Sequence, residues 1–444
     1  MYKYQALFQR MEELIQNEQY KTGAKLPSIR SLAEQYVCSK STVIKVFQEL
    51  EKRHLVYSVP KSGYYVVKRS FEGKESKGTK IDFATSAPDW SHFPYVDFQH
   101  CINKAIDTYQ HELFVYGTPQ GLPSLIEIVQ KQLEGYQVFA KSEQIFITSG
   151  VQQALAILNS LPFPNRKTKI LIEQPSYHLL IQHAEMNNLP MLGIRRSAEG
   201  LNFAELEKLF REEDIKFFYT MPRFHNPLGT SYSQKEMKEL VRLADQYDVY
   251  LVEDDYLADY EQDSKIDPLY AYDVNERVIY LKSYSKIMFP GLRVGVAVVP
   301  RAIMEAFQQY KKILDIDSSM ISQAALEIYI KSGMFERHKK RIRESYISRA
   351  RLLYEALVKH QNDRFTMGNR NPSSSLCMHT HIVLPSTTNM NQFMRRLEKE
   401  EVLIESVNRN YMNGFPQEKI VKINVFNVEE SMIEEGVRRL VRSR

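Results

Sequence analysis

The sequence predicts a small α+β domain followed by a large α/β domain, and three observations lead to this fold class. The chain has 444 residues, which is more than one ordinary domain holds. Its hydrophobic share of 43% and charged share of 25% are those of globular proteins, which excludes wholesale disorder. Residues 69–80 are rich in Lys, Gly and Ser and lack apolar periodicity, so we expect a linker between domains at 1–68 and 81–444.

Cysteine usage and apolar runs narrow the class of protein further. Only three cysteines occur, Cys38, Cys101 and Cys377, and their wide spacing favours neither a disulfide framework nor a metal site. The first residues lack the apolar core of a signal peptide, and the longest apolar run, at 294–299, suits a buried strand. We therefore expect a cytoplasmic protein with neither a metal nor a membrane partner.

Charge is distributed unevenly between the two predicted domains. Residues 1–80 contain 15 Lys and Arg against 8 Asp and Glu, a net charge of +7, whereas the other 364 residues carry −2. A basic segment joined to a nearly neutral one favours contact with a polyanion such as DNA. A solvated Lys-rich surface would give the same charge balance, so the choice between these two interpretations depends on the sequence motifs.

The sequence of the first domain predicts three helices at its start. Residues 3–18 place apolar side chains at helical spacing, a second helix is expected after Ser28, and a third opens with Lys40, Ser41 and Thr42. Two short helices joined by a tight turn, the second starting with small polar and basic residues, form a helix-turn-helix. The small hydroxyl side chains let the amino terminus of the second helix approach a DNA phosphate.

A β-hairpin follows these helices. The runs at 55–58 and 64–67 are typical of two strands, and VPKSG between them places Lys61 and Gly63 at the tip. Such a wing is suited to a contact with the DNA backbone or the minor groove.

The segments LPSIRSLAEQY, SKSTVIKVFQELEKRHLV and KSGYYVV closely resemble the winged helix-turn-helix domain of the GntR family over about seventy residues. The resemblance implies double-stranded DNA as a partner, bound at the Arg of LPS-x-R, at the start of the recognition helix and at the tip of the wing. The residues carried over are Ser28, Arg30, Lys40, Ser41, Thr42, Lys45, Lys61 and Gly63. Lys40 stands where Arg is commoner, which favours a phosphate contact over reading of a guanine. The alternative role of Ser28 is helix capping alone.

Short β-branched runs alternate with helical stretches from about Ile81 onward. Six runs have the composition of buried strands, at 145–148, 169–173, 216–219, 249–252, 278–281 and 294–299. Such alternation predicts an α/β fold with a largely parallel sheet, whose ligands bind beyond the carboxyl ends of the strands.

Chemically versatile residues follow these strands. The turn at 149–152 begins a helix whose first N–H groups suit a phosphate, and an acidic run at 253–255 ends another strand. Lys286 follows Ser283 and Ser285 and lies seven residues before Arg293, which combines an amine nucleophile with an anion-binding side chain. The turn at 222–229 reads PRFHNPLG and adds rigid polar groups.

The motifs SG-x-Q, HNP-x-G and S-x-SK-x-x-x-PG-x-R-x-G resemble those of the fold type I aminotransferases, and the resemblance covers roughly residues 81–444. It implies the aminotransferase fold and pyridoxal 5'-phosphate as the cofactor. It also implies that Lys286 forms the Schiff base and that Asp254 pairs with the pyridine nitrogen. The remaining roles it implies are phenolate contacts by Asn226 and Tyr256, ring stacking by Tyr177, phosphate binding by Gly150, Val151, Gln152, Ser283, Ser285 and Arg293, and a contact of Tyr116 with the cofactor phosphate of a partner subunit.

Several of these residues have plainer alternatives. Asp254 and its neighbour Asp255 could each cap a helix. Tyr177 and Tyr256 could be packing aromatics in a chain with 27 Tyr. Lys286 could be an exposed loop lysine, which its SK…PG-x-R setting disfavours.

A GntR-like domain ahead of an aminotransferase-like domain resembles the MocR group of bacterial transcription regulators along essentially the whole chain. The resemblance implies a cytoplasmic, nucleoid-associated homodimer whose large domain senses an amino compound, or the cofactor itself, through Schiff-base exchange at Lys286. It implies exchange or a half-reaction rather than turnover. The rival interpretation is a catalytically competent aminotransferase with a fused DNA-binding domain.

Two positions depart from the expected motifs. HNPLG matches ordinary aminotransferases better than the regulators, and Lys422 stands where both groups usually carry an Arg for the substrate carboxylate. Lys lacks the two-pronged donor geometry of Arg, which disfavours an α-amino acid as the effector. The alternative for Lys422 is a surface lysine on an edge strand. An amine, a different acid-binding residue, or the cofactor as effector stay open.

Overall fold

The computed structural model divides the chain into two compact units, residues 1–79 and 80–444. It describes residues 3–17, 19–21, 23–52, 55–59, 62–66, 80–263, 265–360, 366–367 and 376–443. Lys61 and all of the predicted linker except Lys80 lie outside the described residues. No helix in these ranges is long and apolar enough to cross a bilayer.

Three helices and a two-stranded hairpin build the first unit. They are α1 (Lys3–Gln16), α2 (Ile29–Gln35), α3 (Lys40–Lys52), β1 (Val56–Val59) and β2 (Gly63–Val66). Apolar side chains from all five elements meet in one core, in which Met11 and Phe47 are fully buried. The Phe47 ring stacks on Tyr64 with the centroids 4.2 Å apart, so α3 is packed against the hairpin. The predicted winged helix-turn-helix is confirmed.

The second unit alternates strands and helices, as the sequence predicts. Its helices are α4 (Tyr95–Tyr109), α5 (Pro123–Glu134), α6 (Val151–Ser160), α7 (His178–Met186), α8 (Phe203–Glu212), α9 (Gln234–Gln246), α10 (Arg301–Asp315), α11 (Met320–Lys331), α12 (Met334–His360), α13 (Met390–Lys399) and α14 (Glu430–Arg442). Its strands are β3 (Ile81–Asp82), β4 (Ile145–Thr148), β5 (Lys169–Gln174), β6 (Met191–Ser197), β7 (Gly200–Leu201), β8 (Ile215–Thr220), β9 (Tyr250–Asp254), β10 (Val278–Ser283), β11 (Gly295–Val298), β12 (Thr366–Met367), β13 (His379–Val383), β14 (Val402–Leu403), β15 (Glu405–Ser406) and β16 (Ile420–Asn424).

Eight strands form the main sheet in the order β4-β11-β10-β9-β8-β5-β6-β7. The strands from β10 to β6 in this order run parallel, while β11 runs antiparallel to both β10 and β4. All six strands predicted from the sequence lie in this sheet. Since β4 runs parallel to β10, the carboxyl ends of β4, β5, β8, β9 and β10 meet at one edge, where the sequence predicts ligand binding.

A smaller sheet is formed near the carboxyl terminus in the order β12-β13-β16-β15. β16 pairs with β13 on one side and with β15 on the other, so it is an interior strand. Lys422, on β16, is only 6% exposed. The alternative that made Lys422 a surface residue on an edge strand is therefore wrong.

Candidate cofactor cleft and DNA-binding face

A cleft of about 590 Å³ opens at the carboxyl edge of the main sheet. Its walls come from the segment at 84–86, from the loops after β5, β8 and β10, and from the smaller sheet with the turn that precedes β16. The lining residues are Ala84, Thr85, Ser86, Tyr177, His178, Asn226, Lys286, Ile404, Glu405, Ser406, Arg409, Asn410 and Lys422. Three residues predicted to contact the cofactor, Tyr177, Asn226 and Lys286, thus share one cavity with Lys422.

Lys286 follows the end of β10 by three residues and is partly buried in this cleft. Its Nζ donates a hydrogen bond to the backbone carbonyl of Ser86. Burial, assisted by the charge of Lys422, lowers the pKa of Lys286 to about 7. A substantial fraction of this amine is therefore neutral at physiological pH, which is the form that attacks an aldehyde.

Asp254 is the last residue of β9 and is 4% exposed. Its Oδ2 accepts a hydrogen bond of 2.6 Å from the hydroxyl of Tyr219, but its Oδ1 has no hydrogen-bond partner among the described residues. Burial raises the pKa of Asp254 to about 7, although the Tyr219 hydrogen bond opposes this rise. A buried carboxylate with one unpaired oxygen is suited to a ligand N–H group that can carry positive charge.

Both carboxylate oxygens of the neighbouring Asp255 have partners within the protein. The guanidinium of Arg223 contacts both carboxylate oxygens, and the Tyr280 hydroxyl donates to Oδ2 at 2.7 Å. Neither Asp254 nor Asp255 caps a helix in the described structure, so that alternative is wrong for both. Of the two, only Asp254 has an oxygen without a hydrogen-bond partner among the residues that the structure describes.

The turn between β4 and α6 forms a cradle for an anion. Gly150 has φ +84°, and a Cβ there would come within 2.8 Å of Nη2 of Arg293. Helix α6 begins at Val151, so the first-turn N–H groups of Val151 and Gln152 have no acceptor within the helix. Arg293 crosses this turn, donating to the Ser149 carbonyl at 2.7 Å and to Gln152 Oε1 at 3.3 Å. The helix terminus and the guanidinium together suit a phosphate group.

The two predicted serines lie on the loop that leads to Lys286. Ser283 ends β10, and its Oγ accepts a hydrogen bond of 3.2 Å from the backbone N–H of Ser285. Ser283 is buried and Ser285 is partly buried.

Asn226 lies on a turn that is held rigidly against the smaller sheet. Gly229 has φ +72°, and a Cβ there would lie 2.3 Å from the carbonyl oxygen of His379. His379 Nε2 is 3.0 Å from the His225 carbonyl oxygen, and burial lowers the pKa of His379 well below its usual value, so the neutral ring donates this bond. The Asn226 Oδ1 accepts a hydrogen bond of 2.8 Å from Lys422 Nζ. The turn therefore presents Asn226 to the cleft in a fixed position.

The three predicted tyrosines differ in their surroundings. Tyr177 lines the cleft, and burial, followed by the charge of Asp254, raises its pKa to about 12. The Tyr256 hydroxyl donates to the Phe224 carbonyl at 2.8 Å. Tyr116 is 78% exposed and lies outside the residues that line the cleft.

The groups present fit pyridoxal phosphate. Asp254 offers an unpaired buried oxygen, the turn at 149–152 offers a cradle for phosphate, and Lys286 offers an amine with a lowered pKa. When bound, this cofactor supplies an aldehyde that condenses reversibly with primary amines.

Six of the eight predicted DNA-binding residues lie between Ser28 and Lys45 in the first unit. Arg30, Lys40, Ser41 and Lys45 are exposed, and Thr42 is partly exposed. The Arg30 guanidinium is 3.1 Å from Glu34 Oε1, an exposed i,i+4 pair that a phosphate can replace at little cost.

Helix capping fixes the start of both helices in this stretch. The Ser28 Oγ accepts the N–H of Ser31 at 3.1 Å, so Ser28 does cap α2. Ser39 plays the same part for α3, since its Oγ accepts the N–H of Thr42 at 3.1 Å. The Ser39 Oγ also lies 2.7 Å from the Ser41 hydroxyl, which orients the residues at the start of α3. Gly63, at the wing, has φ +125°, which favours glycine there.

Comparison with known families agrees with this geometry. Residues 79–440 match the family model described as aminotransferase class I and II, and residues 3–66 match that of the bacterial regulatory proteins of the gntR family. The chain belongs to the class I and II aminotransferase family. It carries a gntR-family DNA-binding domain at its amino terminus, the combination by which the sequence resembles the MocR group.

Individual relatives match either the whole chain or a part of it. The chain is 57% identical over 444 residues to the uncharacterized HTH-type transcriptional regulator YcxD of Bacillus subtilis strain 168, covering 99% of each chain. It is 28% identical over 309 residues to a 2-aminoadipate transaminase of Thermus thermophilus, covering 68% of this chain and 76% of that one.

Solved structures share the fold of the large unit. The kynurenine aminotransferase of Pyrococcus horikoshii has a TM-score of 0.75 at 26% identity, covering 83% of this chain and 91% of that chain. LysN, the α-aminoadipate aminotransferase of Thermus thermophilus, was solved with N-(5'-phosphopyridoxyl)-L-leucine. It has a TM-score of 0.73 at 25% identity, covering 82% of this chain and 92% of that chain. The predicted aminotransferase fold is confirmed, and pyridoxal phosphate is the cofactor of the large unit.

Sequence reasoning missed four residues that shape the cleft of this family member. Ser86 accepts hydrogen bonds from two lysines, and Tyr219 occupies one oxygen of Asp254. Glu405 and Arg409 line the cleft as an ion pair. Ser86 and Tyr219 carried no motif, but the spacing of four between Glu405 and Arg409 is a signal that could have been noticed.

Proposed function

We propose that the chain is a pyridoxal-phosphate-dependent transcription regulator of the MocR type. Its large unit senses an amino compound, or the cofactor itself, through exchange at Lys286, and its small unit binds an operator in double-stranded DNA. Such a protein is cytoplasmic and associated with the nucleoid. The 57% identity to an HTH-type transcriptional regulator over the whole chain supports this proposal over a metabolic enzyme.

One contact carries the sensing proposal: the bond from Lys286 Nζ to the carbonyl of Ser86. Ser86 belongs to the first segment of the large unit, which follows the stretch joining the two units. The amide of Asn424 donates to the carbonyls of Phe83 and Ala84 at 3.0 and 2.9 Å, so this segment is tied to β16. Exchange with an amino compound releases Lys286 as a free amine, the form that donates to Ser86, so it changes a contact of this first segment of the large unit.

Exposed apolar residues support the homodimer that the proposal includes. Phe114, Val115 and Tyr116 are 69%, 60% and 78% exposed, and the adjacent Gly117 N–H donates to Asp317 Oδ2 at 2.5 Å. Ile313 and Leu314, close to Asp317 in sequence, are 82% and 56% exposed. These side chains form an apolar surface that a second copy of the chain can cover. We propose that Tyr116 reaches the partner's cofactor from this surface.

Affinity for DNA measured under defined cofactor states tests the function. We expect the purified protein to bind the DNA upstream of its own gene, with a dissociation constant that changes at least about tenfold when the cofactor, or the cofactor with an amine, is added. Lys286→Ala should bind the same DNA without this response. An affinity that ignores cofactor and amines in the wild-type protein would contradict the proposal.

The rival interpretation, a working aminotransferase, predicts a different result in a second assay. Sustained formation of keto acid from an amino acid panel with 2-oxoglutarate would show turnover. We expect one exchange per active site and no sustained product.

A further inference from the structure

The cleft holds two cationic side chains besides Lys286, and their hydrogen bonds differ. Lys422 has a side chain that is 7% exposed, and its Nζ donates to Ser86 Oγ at 2.9 Å and to Asn226 Oδ1 at 2.8 Å. Its Nζ also lies 3.8 Å from Glu405 Oε2. Two of the three donors of this ammonium group are therefore used in hydrogen bonds within the protein, and its charge already faces the Glu405 carboxylate.

Arg409 is the opposite case. Its side chain is 53% exposed, and among the described residues its guanidinium makes one side-chain contact, to Glu405 Oε1. A guanidinium has five N–H donors in a planar fork that matches carboxylate and related anions. Glu405 demonstrates that a carboxylate fits against this group.

The backbone of Arg409 is held where it can serve the cofactor cleft. Arg409 lies on the helical turn Asn408–Asn410, and the side-chain amide of Asn410 donates to the Ser176 carbonyl at 2.7 Å. The Ser176 N–H returns a bond to the Asn410 carbonyl at 2.8 Å. This exchange ties the turn to the loop that carries Tyr177, the residue proposed to stack on the cofactor ring.

The structure assigns effector recognition to Arg409: we propose that the cleft takes a primary amine that also bears an anionic group, and that Arg409 binds this group in place of Glu405. Lys422 acts instead as an internal tether between Ser86 and Asn226. This inference rests on the proposed exchange at Lys286 and adds the residue that discriminates between amino compounds with and without an anionic group. With one acidic and two basic side chains besides Lys286, the lining favours an anion.

A panel of paired probes tests the assignment on the full-length protein loaded with cofactor. The probes are unbranched ω-amino acids from glycine to 6-aminohexanoate and the n-alkylamines of matching length, and the readout is the change in visible absorption of the bound cofactor. We expect at least one acid to act at a lower concentration than its matching alkylamine. Arg409→Gln should raise the half-maximal concentration of that acid between about 10-fold and 100-fold and change that of the alkylamine less than about twofold.

Two further variants test whether the effect is specific to the Arg409–Glu405 pair. Glu405→Gln should lower the half-maximal concentration of the acid, because the internal carboxylate no longer competes for Arg409. Arg195→Gln is the matched control, since Arg195 is also exposed and pairs with Glu418 at 2.6 Å but does not line the cleft.

The outcomes separate this inference from the proposed function. If Arg409→Gln behaves like Arg195→Gln, or if Lys422→Met alone removes the preference for the acid, the assignment to Arg409 is wrong while exchange at Lys286 stands. If no amine changes the spectrum of the wild-type protein, the proposed function fails and this inference fails with it.

Discussion

The DNA-binding face and the cofactor cleft place their functional groups in opposite environments. Arg30 and Lys40 are exposed to solvent on α2 and α3, and Arg30 pairs with the exposed Glu34. Lys286 and Asp254 lie in the cleft or beneath it, where burial lowers the pKa of the amine and raises that of the carboxyl group to about 7 in each case. The comparison teaches that exposed positive charge is sufficient for DNA binding in the first region. Cofactor binding in the second region depends on burial, which shifts the pKa values, and on polar atoms that have no partner among the described residues.

The two adjacent buried carboxylates, Asp254 and Asp255, give the largest expected effects. Asp255→Ala leaves Arg223 buried and without its carboxylate, so we expect the free energy of unfolding of the large unit to fall by about 3–5 kcal/mol. Chemical denaturation of the cofactor-free protein measures this. An unfolding midpoint equal to that of the wild-type protein would show that the pair does not stabilise the fold.

Asp254→Ala should instead weaken the binding of the cofactor without destabilising the fold. It removes a carboxylate whose Oδ1 has no partner within the described residues, so we expect the dissociation constant of pyridoxal phosphate to rise about 100-fold. Fluorescence titration of the cofactor-free protein measures the constant. Tyr219→Phe is the milder companion variant, and we expect a smaller loss because Asp254 remains. Normal cofactor binding by Asp254→Ala would move the role to another residue.

The lowered pKa of Lys286 sets a pH dependence. Below about pH 7 the amine is protonated and cannot attack the aldehyde, so we expect the rate of cofactor attachment to rise with pH and to level off above about 7. Lys422→Met removes a nearby positive charge that helps to lower this pKa, so it should move the midpoint upward. Stopped-flow absorption over a pH series measures both midpoints. A wild-type rate that is still rising steeply above pH 9 would contradict the effect of burial.

The smallest expected effects belong to the exposed DNA-binding face. Arg30→Ala and Lys40→Ala should each reduce the slope of log K against log salt by about one, because each removes one phosphate contact. Arg10→Ala is the matched control, since Arg10 is exposed on α1 and pairs with Glu13. Binding measured at several salt concentrations gives the slopes. Slopes that stay unchanged in both variants would show that the DNA-binding face lies elsewhere.

Local patterns made most of the fold predictable from the sequence. Helical spacing of apolar residues predicted α1, and the Ser28 cap preceded α2 as expected. Runs of β-branched residues located six of the eight strands of the main sheet, because strands that are buried on both faces are nearly continuous apolar runs. β6 was not predicted, since its sequence, MLGIRRS, mixes glycine and arginine with only three apolar residues.

The cleft was predictable only where a motif fixed the chemistry. Lys286 and Arg293 stood in a recognisable spacing, and strand ends are where such groups converge. The contacts of Ser86 with Lys286 and Lys422 join residues that are 200 and 336 positions apart, so no local pattern could reveal them. One alternative placed Lys422 on the surface of an edge strand. It was wrong because the order of strands in the smaller sheet cannot be inferred from the sequence of one strand.

Reduction with borohydride followed by peptide mass mapping tests the central claim most directly, because it locates the lysine that holds the cofactor. After incubation with pyridoxal phosphate, we predict that the peptide containing Lys286 gains the mass of one reduced phosphopyridoxyl group and that Lys286→Ala gains none there. A wild-type protein that stays colourless, or that carries the group on another lysine, would contradict the account.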